Sequence, residues 1–294
     1  MPPAEPYHWN FPGGGLALSG QTRIMGVVNV TPDSFSDGGR HDHPDRARDH
    51  ALTLWAEGAD ILDIGGESSR PGASPVSAEE EIARVVPVIE RIKHQQPDAV
   101  LSIDTTKADV ARAALAAGAV IINDISAGNM DPEMLPLAAE TGAGLVLMHM
   151  RGRPSDMQKE PRYADVTQEV IAFFQERLQA AQQAGIAPGA IVLDPGIGFG
   201  KTLDHNLTLI RDLPVMIEAL PYPFLLGVSR KRWLGEITGR EVDDRLAASL
   251  AGFSACVERG AKIMRVHDVL FSCDVARIID RIHQNTSATT TAIK

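Results

Sequence analysis

The 294-residue sequence contains eight short apolar runs, and almost every one finishes on a side chain that can hydrogen-bond or carry charge. In chain order the ends are Asn29, Glu67 with Ser68, Ser69 and Arg70, Asp104, Asn123, Met148 with His149, Asp194, Lys231, and Arg265 with His267. A single polar strand end is ordinarily a turn residue or a cap. Asp104, which precedes Thr105 and a helical pattern, has capping as a competing use. A whole series of such ends on one rim is better explained by one polar pocket. Two aspartates and an asparagine suit a planar heterocycle carrying N–H donors, because a carboxylate accepts two parallel hydrogen bonds. Arg70, Lys231, Arg265 and His267 suit an anion. Lys231 also falls at a predicted helix start, where unpaired backbone N–H groups and the helix dipole favour negative charge. Its neighbour Arg230 is expected to turn away into a structural ion pair, since adjacent residues at a strand end diverge. His149, on an apolar strand, reads as a satisfied core histidine before it reads as a ligand.

The runs that must position these groups are "RIMGVVNV", "ADILDIGG", "AVLSIDT", "AVIINDIS", "AGLVLMHM", "AIVLDPG", "PFLLGVS" and "AKIMRVH". Unbroken apolarity suits strands buried on both faces of a parallel sheet. Helical patterns lie between them. "HPDRARDHALTLWAEG" runs from Pro44 to Gly58, and "SAEEEIARVVPVIERIK" opens with Ser77 and Glu80 at capping-box spacing. "KADVARAALAAG" and "DPEMLPLAAETG" close on glycine, as helix ends often do. Eight strands, each followed by a helix, predict an α/β fold with a single (β/α)₈ TIM barrel; an open doubly wound sheet is the alternative. Residues 1–21 are expected to form an arm or hairpin lid, 22–284 the barrel, and 285–294 a flexible tail. The loops "TPDSFSDGG" and "ESSRPGASP" follow the first two strands and have the composition of segments that close over a substrate.

Composition excludes several functions. A net charge of -10, with three Trp and three Tyr, argues against a nucleic-acid surface, which needs a basic face or stacking aromatics. Cys256 and Cys273 match no metal-ligand spacing and read as buried thiols in a reducing compartment. No leader pattern opens the chain and no apolar run reaches about 18 residues, so no membrane partner and a cytoplasmic location are expected. The "GIGFGK" run lacks the full Walker spacing, which counts against nucleotide binding.

Eight stretches in order, "IMGVVNVTPDSFSDGG", "GADILDIGGESSRPGA", "SIDTTK", "GAVIINDISAG", "LMHMRG", "LDPGIGFGKT", "LLGVSRKRWLG" and "MRVHDV", make the sequence resemble the dihydropteroate synthases over residues 24–269. The resemblance implies a TIM barrel that condenses a dihydropterin pyrophosphate with 4-aminobenzoate. It places the pterin pocket on Asp104, Asn123, Asp194 and Lys231, with Met148 lining it and Arg265 stacking on the ring. It places the pyrophosphate at Asn29, Ser69, Arg265 and His267, with Mg²⁺ as cofactor touching protein at Asn29. The aminobenzoate falls to Phe35, Pro71, Phe199, Lys231 and the backbone of Arg232. Asp37 and Arg70 take the mobile-loop positions that order pyrophosphate and metal. Asp37, Arg70, Lys231, Arg265 and His267 are then the catalytic set. Ser69 stands where many members have Thr, and Arg232 where some have Ser; neither change removes the contact the family uses.

The implied chemistry makes the enzyme a transferase in folate biosynthesis. The CH₂–O bond breaks because the ring delocalises positive charge, so the task is to stabilise departing pyrophosphate. The aniline nitrogen is neutral and needs no strong base. The resemblance also implies a homodimer, for which the last two helical patterns carry apolar residues beyond one stripe. Two rivals are a pterin-binding methyltransferase, which has no use for "SSRPG" or "SRKR", and a non-catalytic paralogue, which would not need Asp37, Arg70 and Lys231.

Overall fold

The computed structural model describes residues 7–31, 43–68, 75–154 and 156–288. A two-stranded antiparallel hairpin, β1 (His8–Phe11) and β2 (Gly14–Ala17), opens the chain. Eight parallel strands follow: β3 (Arg23–Asn29), β4 (Ile61–Gly65), β5 (Leu101–Asp104), β6 (Ile121–Asp124), β7 (Gly144–Met148), β8 (Ile191–Asp194), β9 (Leu225–Leu226) and β10 (Ile263–Val266). They form one sheet in the order β8-β7-β6-β5-β4-β3-β10-β9. The two ends meet where Leu193 N donates to Pro223 O at 3.0 Å and Leu193 bridges Phe224 in parallel. The sheet is therefore a (β/α)₈ TIM barrel, and the open-sheet alternative is excluded.

Each apolar run becomes a strand because both of its faces are covered, one by the barrel interior and the other by helices. The helices are α1 (His43–Glu57), α2 (Ala78–Gln95), α3 (Ala108–Ala117), α4 (Met134–Thr141), α5 (Val166–Gln183), α6 (Leu203–Arg211), α7 (Leu213–Ala219), α8 (Arg232–Thr238), α9 (Leu246–Val257) and α10 (Val269–Ala288). α3 and α4 end on Gly118 and Gly142, as the sequence predicts. Only half of the expected capping box forms at α2. Ser77 Oγ accepts from Glu80 N at 3.2 Å, but the Glu80 carboxylate pairs with Arg84 instead of returning to the cap backbone. A reciprocal box forms at α6, between Thr202 and His205. Among the described residues no helix is long and apolar enough to cross a membrane.

The hairpin closes the amino-terminal end of the barrel, opposite the polar strand ends. Trp9 is fully buried against the inward residues that begin the strands, including Ile61, Ile121 and Ile263. Its indole Nε1 donates to Ala190 O at 2.8 Å, which satisfies the one polar atom of a large buried ring.

Candidate active site

Side chains alternate across a strand, so residues two apart share the inward face. Ile61, Asp63 and Gly65 line up this way, as do Ser102 with Asp104, Ile121 with Asn123, Val146 with Met148, and Val192 with Asp194. Register then brings the upper members together: Asn29 lies beside Gly65, Gly65 beside Asp104, Asp104 beside Asn123, and Met148 beside Asp194. Polar strand ends scattered along the sequence thus meet at the carboxyl-terminal mouth of one barrel.

Arg265 is the hub. Its Nη2 donates to Asp104 Oδ2 at 2.7 Å and its Nε to Asp63 Oδ2 at 2.6 Å. Asn123 Nδ2 donates to the same Asp63 oxygen at 2.9 Å. Asp104 is not a helix cap: the α3 amino terminus takes Asp131, whose Oδ2 accepts from Ala108 N at 2.8 Å. Asp194 Oδ1 accepts from Gly196 N at 2.7 Å, which leaves its second oxygen available to a ligand. Lys231 Nζ stands 4.1 Å from the centroid of the Phe199 ring, a cation–π distance. His267 meets Ser229 Oγ through both its backbone N–H, at 3.3 Å, and its ring Nδ1, at 3.1 Å. Ser229 Oγ thus accepts from the His267 backbone and also shares a hydrogen bond with its ring.

Burial sets the charges of the site. It pushes the Asp104 carboxyl above the usual range, with Arg265 pulling the other way and Asp63 adding to the rise. Burial lifts Asp194 to about 6, opposed by the Gly196 amide and the Lys231 ammonium. Burial, with Arg265 nearby, lowers Lys231 to about 8, while Asp194 and Asp104 resist the change. Burial also works against the Arg265 cation, but Asp63 and Asp104 outweigh it and hold that proton more tightly than usual. Burial and then Arg265, Arg230 and Lys231 depress His267 to about 3. His267 is therefore a neutral imidazole here. It offers an anion a hydrogen bond, where the sequence suggested a charge.

Other expected positions fall as follows. Met148 is buried and inward-facing. Arg232 turns outward and pairs with Glu236 at 2.8 Å, so only its backbone, at the start of α8, faces the pocket side of Lys231. Arg230 does turn away, donating to both carboxylate oxygens of Asp268. His149 is a satisfied core residue bonded to Lys201. Phe35, Asp37, Ser69, Arg70 and Pro71 lie outside the described residues.

Two residues of the site were not legible as such. Asp63 lies inside an apolar run, two residues before its end. Its signal was parity: a carboxylate on the inward face shared by Ile61 and Gly65. Lys201, at the end of "GIGFGK", is almost wholly buried behind Asp194.

A magnesium ion fits the donors present only in company with substrate. Among the described residues no three His, Cys, Asp or Glu side chains are grouped to hold a metal. Asn29 is half-buried at the mouth, and among the described residues its side-chain amide has no hydrogen-bond partner. Mg²⁺ keeps water and phosphate oxygens in its shell and needs one or two protein oxygens, of which Asn29 offers one.

Comparison with known proteins agrees with this geometry. Residues 25–267 match the family described as pterin binding enzyme. The dihydropteroate synthase of Neisseria meningitidis serogroup C is 48% identical over 258 residues, covering 87% of this chain and 90% of that one. The folate synthesis bifunctional protein, mitochondrial, of Arabidopsis thaliana is 42% identical over 276 residues; the match covers 90% of this chain but only 50% of that longer protein. The crystal structure of Xanthomonas albilineans dihydropteroate synthase with 4-aminobenzoic acid superposes with a TM-score of 0.87 at 46% identity, covering 97% of this chain and 100% of that one. By sequence across nearly its whole length, and by fold, the chain belongs to the dihydropteroate synthase family of pterin-binding enzymes.

Proposed function

We propose that the protein condenses (7,8-dihydropterin-6-yl)methyl diphosphate with 4-aminobenzoate, giving 7,8-dihydropteroate and diphosphate. The observation that carries this reading is the single inward cluster of Asp104, Asn123, Asp194, Lys231 and Arg265 at the barrel mouth. Asp104, Asn123 and Asp194 hydrogen-bond the edge of the pterin, and Met148 lines its face. Arg265, clamped by Asp63, stacks on the ring and turns its remaining N–H donors toward the diphosphate. His267 adds a neutral donor and Ser69 a hydroxyl. Phe199, Phe35 and Pro71 enclose the aminobenzoate ring, while Lys231 and the Arg232 backbone amide hold its carboxylate. Asp37 and Arg70 order the diphosphate end.

The CH₂–O bond breaks and its electron pair leaves with diphosphate. The aniline lone pair then forms the new C–N bond, and the nitrogen sheds a proton. Fixed donors where negative charge develops are each worth about 2.7–4 kcal/mol in comparable sites. Mg²⁺ held at Asn29 and by the diphosphate would supply further neutralisation of the leaving group. A second copy of the chain completes the unit in this reading, supported by Leu270, Phe271 and Ile278, which are exposed along α10. A cytoplasmic setting is supported by two free, buried cysteines, Cys256 and Cys273.

A coupled assay for pyrophosphate release tests the reaction. Release that requires 4-aminobenzoate and falls sharply on chelation of Mg²⁺ is expected. Release indifferent to 4-aminobenzoate removes the assignment.

A further inference from the structure

Lys201 is a lysine with 3% exposure, and no substrate role falls to it. Its Nζ lies 3.0 Å from His149 Nδ1, 3.0 Å from Gly196 O, 3.0 Å from Phe199 O and 3.3 Å from His149 O. Burial, with Lys231 and Arg151 nearby, lowers the Lys201 pKa to about 7 against the pull of Asp194, and all four neighbours can accept from the two or three protons that Nζ carries. Burial, Lys201 and Arg151 push the His149 pKa down to about 2, so its ring is neutral, and Nδ1 accepts from Lys201 with the ring proton on Nε2.

The acceptors come from two different loops. Gly196 and Phe199 belong to the turn after β8, and His149 to the segment after β7. These two segments touch backbone to backbone. A Cβ on Gly196 would fall 1.9 Å from His149 O, and one on Gly200 would fall 2.3 Å from Arg151 O. Both glycines are in the left-handed region, with φ of +68° and +62°. A turn so wound points several carbonyls inward, where each needs a donor. Lys201 provides that donor at the centre. From the same turn, the Phe199 ring lies 4.1 Å from Lys231 Nζ.

We propose that Lys201 is a positioning residue for the aminobenzoate half of the site: its Nζ ties the 196–200 turn to His149 and so fixes the Phe199 ring against Lys231. The inference rests on the function proposed above, in which Phe199 and Lys231 receive 4-aminobenzoate. Lys201 touches neither substrate and acts only through the turn.

The test is steady-state pyrophosphate release by the full chain, varying each substrate in turn. Wild-type turnover dependent on 4-aminobenzoate checks the underlying function by itself. In Lys201→Met, the KM for 4-aminobenzoate is expected to rise about tenfold while that for the pterin diphosphate stays within about twofold. Phe199→Ala is expected to show the same split. Combined with Lys201→Met it should add less than about twofold, because both changes remove one placement. Equal rises for both substrates, no rise for either, or fully multiplicative losses in the double variant would overturn the proposal. If Lys201→Met does not fold, Lys201→Gln, which keeps two N–H donors on a shorter side chain, serves with the same expected split and the same overturning results.

Discussion

Arg265 and Asp104 are joined by a 2.7 Å hydrogen bond although 161 positions of chain lie between them. The bond exists because β5 and β10 put both residues on the inward face near the same level of the barrel. It also places a cation and a carboxylate, neither freely hydrated, where each limits how the other can turn.

The second anchor of that guanidinium is Asp63, which is fully buried. Removing one partner of a buried ion pair costs about 3–5 kcal/mol, because the survivor keeps its desolvated charge. Asp63→Ala is therefore expected to lower stability in urea by about 3 kcal/mol. Arg265 should also swing, lowering kcat/KM for the pterin substrate by about a hundredfold. Near-wild-type values of both would contradict the clamp.

Activity should follow a bell-shaped pH profile. Asp194, lifted to about 6, and Asp104, lifted in the same direction, accept ring hydrogen bonds only when ionised. The acid limb of kcat/KM for the pterin substrate thus rises through about pH 6. Lys231, lowered to about 8, loses its charge on the alkaline side and sets the descending limb. Lys231→Arg should move that limb upward. Stability has the opposite slope on the acid side. Raised carboxylate pKa values mean that the native state binds protons more tightly than the unfolded chain. The contribution of these groups is full near pH 4 and declines as pH rises through about 6. Activity falling between pH 5 and about 7 would sink this account.

Arg230 has φ of +57°, in the left-handed region, immediately before Lys231. Arg230→Ala keeps the strain and loses the pair with Asp268, whereas Arg230→Gly loses the same pair but relieves the strain. The glycine variant should be the more stable of the two by about 1 kcal/mol in urea denaturation, reversing the usual order of these residues.

The hairpin seals the end of the barrel away from the chemistry. Trp9→Ala removes a fully buried ring and is expected to cost about 3–5 kcal/mol of stability. Its KM values should stay near wild type at a temperature where it remains folded. A selective loss of substrate affinity would mean that the hairpin reaches the site.

Ile278 and Phe271, seven positions apart on α10, are 62% and 48% exposed. In the proposed homodimer this face meets the second copy, so Ile278→Asp should leave the monomer folded and reduce the sedimentation coefficient relative to wild type. An unchanged sedimentation coefficient at low micromolar concentration would remove this face from the dimer.

The strands were legible because their burial on two faces leaves long unbroken apolar runs. Barrel closure was not, since it rests on a two-residue strand, Leu225–Leu226, and on the contact of Leu193 with Pro223 and Phe224. Polar strand ends such as Asp104 and Asp194 announced the mouth of the barrel. Asp63 escaped notice because it sits one inward step deeper, where a carboxylate is expensive unless partners 60 and 202 positions away are waiting. Lys201 escaped because three of its four partners are backbone carbonyls, which have no signature in side-chain type. The charge state of His267 was equally hidden, being set first by burial and then by three cations that converge only in the folded chain.

The seam at β9 gives the molecule a preferred place to breathe. Elsewhere each strand pairs with its neighbour over two to five residues, but between β8 and β9 the described ladder is a single bridge. Labelling with deuterium should reach the Leu193 amide before those of β4 or β5. Heat should part the staves there first, directly beneath Asp194 and Lys231, so that catalysis is lost before the drum as a whole comes apart.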